Sequence, residues 1–81
     1  MPRKYEPLAD YLRRQGGSRH DMSFAAVEDV IGDTLPPSSE THRAWWESSR
    51  FQVEAKDGWL AAGWQVDSVN LTRKRVTFRR L

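Results

Sequence analysis

From Trp64 onward the spacing of apolar residues changes from three-to-four to two, and that switch most constrains what this chain can become. Before it, Leu8, Ala9, Tyr11 and Leu12, and then Phe24, Val27, Val30 and Ile31, recur at helical intervals. After it, Trp64 and Val66 alternate with Gln65 and Asp67, and Val69 and Leu71 continue in the opposite phase. Val76 and Phe78 then return on one face, with Arg75, Thr77 and Arg79 on the other. A helical stretch followed by a β-hairpin makes an α+β chain. The phase slip predicts a bulge near Asp67-Ser68. Thr72-Arg73-Lys74 is the expected turn, although it lacks the glycine that favours a tight primed turn.

The helical part divides at its own punctuation. Pro7 suits a first helical position, and Gly16-Gly17 ends that helix with Arg13 and Arg14 in its last turn, where cations complement the helix dipole. Met22-Ser23-Phe24 reads as a very short extended piece, with Ser23 the expected N-cap of a second helix that Gly32 closes. Leu35-Pro36-Pro37 forbids continued helix, because proline disfavours the α region in the residue before it. Ser38 or Ser39 is then expected to cap a third helix running through Ala44, Trp45 and Trp46. Neighbours on a helix diverge by about 100°, so both Trp cannot face one core, and Trp46 is the one expected at an edge or groove. A fourth helix is predicted from about Val53 to Ala62, with Gly63 as its C-cap. The whole is three to four short helices followed by a C-terminal β-hairpin, a winged-helix-like layout.

Eighty-one residues suffice for one domain, here 1–81. A chain of this size buries only about 60–65% of its unfolded surface, so its core must be well packed. Four Trp, three Phe and two Tyr supply that core and separate the chain from disordered sequences. With no cysteine, disulfides, thiolate nucleophiles and Cys-based metal sites are excluded. Apolar runs reach only three or four residues, against about 20 for a membrane span, and no signal-like segment follows the start. The expected location is cytoplasmic, with no membrane partner.

Charge is unevenly placed. The net +2 divides into +3 over residues 1–20, −5 over 21–40, −1 over 41–67 and +5 over 68–81. Two outcomes stand open: the basic ends neutralise the acidic segment within the fold, or they form a patch that meets a polyanion.

Catalytic chemistry finds no foothold. His20 and His42 lie 22 residues apart with no close second ligand, so neither a metal nor another cofactor is expected. The serines occupy caps and loops without a glycine-flanked nucleophile turn. Adjacent Glu28 and Asp29 read as a solvated helix face, and Gly16-Gly17 as a helix stop. The sequence points to a protein that is not an enzyme.

What remains is aromatic and basic residues interleaved. Arg43 and Trp46 share the third helix, Arg50 lies just beyond, and Arg73, Lys74 and Arg75 crowd the hairpin turn, with Arg79 and Arg80 following. Arginine reaches phosphates and guanine edges, and Trp stacks on bases. The expected function is a DNA-binding domain in which Arg43, Trp46 and Arg50 lie near a groove of duplex DNA. Arg73, Lys74, Arg75, Arg79 and Arg80 would engage phosphates. The alternative is a protein–protein interaction module, a phage-type regulator or inhibitor docking through the acidic 21–40 segment. Homodimerisation through an exposed Trp46 is compatible with either.

The chain also resembles a family of small bacterial domains of unknown function along nearly its whole length. The resemblance rests on Lys4-Tyr5 with Pro7-Leu8 and Tyr11-Leu12, Ser23-Phe24, Val30-Ile31-Gly32, Leu35-Pro36 and Ser38, Trp45-Trp46, and Trp59-Leu60 with Ala62-Gly63-Trp64. Val76, Phe78 and Arg79 complete it. Members often carry Asn after the double Trp and a His-Ser-Gln-Ala-like stretch before the next, where this chain has Glu47 and Val53-Glu54-Ala55. The resemblance implies no particular activity.

Overall fold

A computed structural model describes residues 3–47 and 52–81. In chain order the elements are α1 (Glu6–Arg13), β1 (Arg19–Ser23), α2 (Phe24–Ile31) and α3 (Ser38–Thr41). A 3₁₀ turn (Arg43–Trp46), a π-helical segment α4 (Ala55–Trp59), β2 (Trp64–Asn70) and β3 (Arg75–Arg80) follow. The mixed α+β class and the C-terminal hairpin are as the hydrophobic spacing predicts.

The hairpin recruits β1, so the sheet has three antiparallel strands in the order β1-β3-β2. β1 is longer than the three-residue piece expected, because pairing with β3 extends it back to Arg19. Its single buried residue, Met22, gives the sequence little alternation to show. The register of β2 against β3 slips between Val66 and Ser68, placing the bulge at Asp67. Residues 71–74 form the turn. Lys74 takes the left-handed conformation there (φ 53°) in place of the missing glycine, while the Asn70 side chain accepts a hydrogen bond from the Arg73 N–H.

Ser23 caps α2 as expected: its hydroxyl accepts from the Ala26 N–H at 3.0 Å. Gly32 ends α2 at φ 71°, where a side chain would be strained. The third helix departs from expectation. It stops after four residues, and His42 (φ −124°, ψ 110°) turns the chain into the 3₁₀ turn. Ser and Thr hydroxyls loosen this helix by bonding locally: Ser39 to the Pro36 carbonyl, Thr41 to the Pro37 carbonyl and to His42.

The break resolves the problem of two adjacent indoles. Trp46 turns fully into the core, stacks on Phe24 at 4.8 Å and Trp59 at 5.8 Å, and donates its Nε1–H to the Ser39 carbonyl. Trp45, half-buried, meets Tyr5 and Trp59 edge-on. Burying a Trp removes roughly 200 Å² from water, about 5 kcal/mol, which outweighs the few helical hydrogen bonds forgone. The expectation of an exposed Trp46 is therefore corrected, and with it a dimer held by that side chain.

α4 widens because it must pass α1. Leu60 N–H reaches back five residues to Ala55, and Gly58 breaks regular geometry where a Cβ would lie 3.5 Å from Tyr5 Cβ and 3.6 Å from Leu8. The layer beneath the sheet is thus Leu8, Leu12, Val27, Trp46 and Trp59 against Trp64, Val76 and Phe78, all essentially inaccessible. Tyr5 closes its edge. Burial, with Glu54 and Asp33 nearby, pushes its phenol up to about 12. Among the described residues no helix is long and apolar enough to cross a membrane.

Candidate nucleic-acid interface

Alternation along the strands sends every second side chain away from the core. The outer face of the sheet carries Arg19, Asp21 and Ser23 from β1, paired in register with Arg79, Thr77 and Arg75 of β3. Gln65, Ser68 and Asn70 of β2 lie opposite the same β3 residues. No apolar side chain stands in these rows, so the face is polar and rich in arginine.

Arg75 donates Nε and Nη2 to Asp21 Oδ2 at 3.1 and 2.7 Å, and the other Asp21 oxygen accepts from the Thr77 hydroxyl. At the far end of the face Asp67, turned outward by the bulge, meets Arg19 at 3.1 Å and Arg79 at 3.9 Å. Lys74 reaches Glu40 of α3 at 3.1 Å, and its carbonyl accepts from Phe24 N–H at 2.8 Å. The hairpin end is thereby held against the start of α2. The Arg73 side chain is exposed and has no ion-pair partner among the described residues.

Arg43 arrives from the 3₁₀ turn. It donates Nη1 to the Val69 carbonyl at 2.9 Å, which ties the turn to β2. Arg43 and Arg75, 32 residues apart, consequently line the same open cleft of about 780 Å³ with Asp21, Ser68, Asn70 and Thr72. Sequence reasoning finds only part of this site. Asp21 and Asn70 escape it because their place in the cleft depends on β1 and β2 flanking β3, a pairing that no local spacing encodes.

Three predicted contacts stand apart. Trp46 is in the core. Arg50 lies outside the described residues. Arg80 donates Nε to the Gly17 carbonyl at 2.9 Å and Nη2 to Gln15, and its guanidinium covers the Trp64 ring at 4.5 Å. It fastens the loop after α1 to the end of β3 while remaining exposed.

The acidic segment is largely engaged by the basic ends. Asp21 meets Arg75, Asp33 meets Lys4 at 3.7 Å, and Glu40 meets Lys74. Glu28 accepts from the Leu35 N–H and closes the loop after α2. Of the two outcomes open in the sequence, neutralisation within the fold holds for these pairs. Around the outer face and hairpin end, however, Arg19, Arg43, Arg73, Lys74, Arg75 and Arg79 still outnumber Asp21, Glu40 and Asp67. The histidines are engaged elsewhere, His20 with the Tyr11 hydroxyl and His42 with Thr41, both at 2.8 Å.

Residues 5–81 match a protein family described as a domain of unknown function (DUF7662). No curated protein and no solved structure matches the chain.

Proposed function

We propose that this chain, which belongs to that family of domains of unknown function, is a non-enzymatic DNA-binding domain. It holds duplex phosphates with Arg43, Arg73, Lys74, Arg75 and Arg79. The observation that carries this reading is the meeting of Arg43 and Arg75 on one polar cleft beside the basic turn. Exposed ion pairs such as Arg75–Asp21 and Lys74–Glu40 stabilise a fold by only about 0–1 kcal/mol, so their cations can exchange a carboxylate for a phosphate at small cost. Layout gives further support: a small strand precedes α2, and the sheet order β1-β3-β2 sets the hairpin beside it, as in winged-helix domains.

The groove-reading part of that template has less support here. α3 is four residues long and the Trp after it faces inward, which leaves no long exposed helix between α2 and the hairpin among the described residues. Contacts confined to phosphates position a protein without selecting bases. Binding should therefore be weakly selective and strongly salt-dependent.

The test is a titration against a fluorescent random-sequence duplex at about 50 and 200 mM salt. Tight binding that collapses at the higher salt is expected. Absence of binding at the lower salt overturns the reading.

A further inference from the structure

The cleft between the 3₁₀ turn and the hairpin has the composition of a site for a single phosphate group, and one of its own residues already fills part of that role. Arg75 turns the Nε and Nη2 edge of its guanidinium, the edge that binds carboxylates and phosphates, onto Asp21. Asp21 lines the same cleft. Across it, Arg43 spends Nη1 on the Val69 carbonyl, which fixes the guanidinium plane. Its Nε and Nη2 have no acceptor among the described residues. Ser68, Asn70 and Thr72 supply neutral hydroxyl and amide groups along the wall, the Thr77 hydroxyl is given to Asp21, and no apolar side chain larger than Leu71 or Val69 reaches the cleft. A preset cation, a second cation held in reserve and several neutral donors suit a tetrahedral oxyanion.

We infer that this cleft is a discrete seat for one phosphate, in which Arg43 and Arg75 clamp the anion and Asp21 is a built-in competitor. The carboxylate of Asp21 mimics the ligand: it satisfies the Arg75 fork when the seat is empty and opposes an incoming phosphate when it is not. Binding exchanges one anion for another on Arg75, with no change in its charge and little movement of the strand. This deepens the proposed DNA contact and rests on its choice of the hairpin end as the anion-facing surface. The same chemistry is offered by a phosphodiester of a duplex or by a free phosphate.

Most substitutions in a binding site weaken it, whereas this arrangement predicts one that strengthens it. Asp21→Asn keeps size and polarity but releases the Arg75 fork, and the pair it removes is half exposed on both sides, so the fold is retained. The experiment titrates inorganic phosphate into the protein and follows arginine Nε–H and backbone amide resonances. In the wild type a saturable shift is expected, confined to Arg43, Arg75, Asn70 and Thr72. Asp21→Asn should bind about three- to tenfold more tightly, while Arg75→Lys, which keeps the charge and loses the fork, should bind several-fold more weakly. Shifts spread over all basic residues without saturation, or an Asp21→Asn affinity no greater than wild type, overturn the seat. A duplex arm separates the sources. Saturable phosphate binding without duplex binding leaves the seat standing for a free phosphate and removes the DNA reading. Duplex binding without a saturable phosphate site does the reverse.

Discussion

The two faces of the sheet are built from alternate residues of the same strands, yet different forces hold their side chains. On the inner face Trp64, Val76 and Phe78 are buried in one core with Trp46 and Trp59, the Phe78 ring lying against that of Trp59. On the outer face Arg19, Arg75 and Arg79 are held by two carboxylates, Asp21 and Asp67, with all the side chains still reached by water. Packing is dry and hard to exchange; exposed ion pairs are weak and trade partners readily. The first face specifies the fold. The second is free to meet something else.

The sharpest way to break this contrast is to truncate one residue on each side. Trp59→Ala removes an indole that is fully buried and touches Trp45, Trp46 and Phe78. A cost of about 3–5 kcal/mol is expected, close to the whole stability of so small a domain. Arg75→Ala should cost at most about 1 kcal/mol. Denaturant unfolding of both variants measures the difference. Similar costs would mean that the outer face shares in folding and is not a surface held in reserve.

Function should divide the other way. Replacing Arg73, Lys74 and Arg75 together with Ala should lower the salt slope of duplex binding by about 2.7 log units, at roughly 0.9 for each phosphate that is no longer neutralised. Lys74→Ala keeps a Cβ at the same positive φ, so the turn carries no new strain. The unfolding midpoint should stay near wild type. An unchanged slope would show that these cations, however exposed, do not meet the phosphates.

How much of this contrast is legible in the sequence depends on whether a feature is local. The Ser23 cap, the Gly32 end of α2 and the Asp67 bulge each follow from a few neighbouring residues and their dihedral preferences, whereas α1 ends at Arg13, ahead of the Gly16-Gly17 pair expected to stop it. The segment from Ser38 to Trp46 does not. Ser39 and Thr41 loosen its helix locally, but what the chain gains past the break at His42, the stacking of Trp46 on Phe24 and Trp59, involves residues distant in sequence. The cleft is less legible still. Arg75 is visible as a basic hairpin residue, but its partner Asp21 comes from β1, and Arg43 reaches β2 only because that helix breaks. Charge blocks along the chain mark the acidic and basic segments without revealing that Asp21, Asp33 and Glu40 each find a cation from near a terminus.

Ser23 lies on the boundary between the two faces and sharpens it. It stands in the outer row of β1, opposite Arg75, but its hydroxyl caps α2. Ser23→Ala should cost about 1 kcal/mol, more than an exposed ion pair and less than a core indole. Ser23→Asp should recover most of that loss, because a carboxylate also accepts from the first-turn N–H and suits the positive end of the helix. Thermal unfolding of the two variants decides it. Equal losses would assign the cost to strand pairing.

The smallest effect concerns Tyr5, a group on the packed side whose ionisation is displaced. Tyr5 is buried, and with Glu54 and Asp33 nearby its phenol is pushed from the ordinary 10.0 up to about 12. In the unfolded chain the phenol loses its proton near the ordinary value, whereas the fold keeps it. Between those two pH values the folded state binds more protons than the unfolded one. The contribution is therefore fully present below about 10 and is lost as pH rises towards about 12. Tyr5→Phe should flatten the alkaline fall in stability by that part, and the tyrosinate absorbance that disappears with Tyr5 should be the component that titrates late. A Tyr5 that ionises at the ordinary pH would place it on the solvent side of the contrast, no longer closing the edge of the aromatic core.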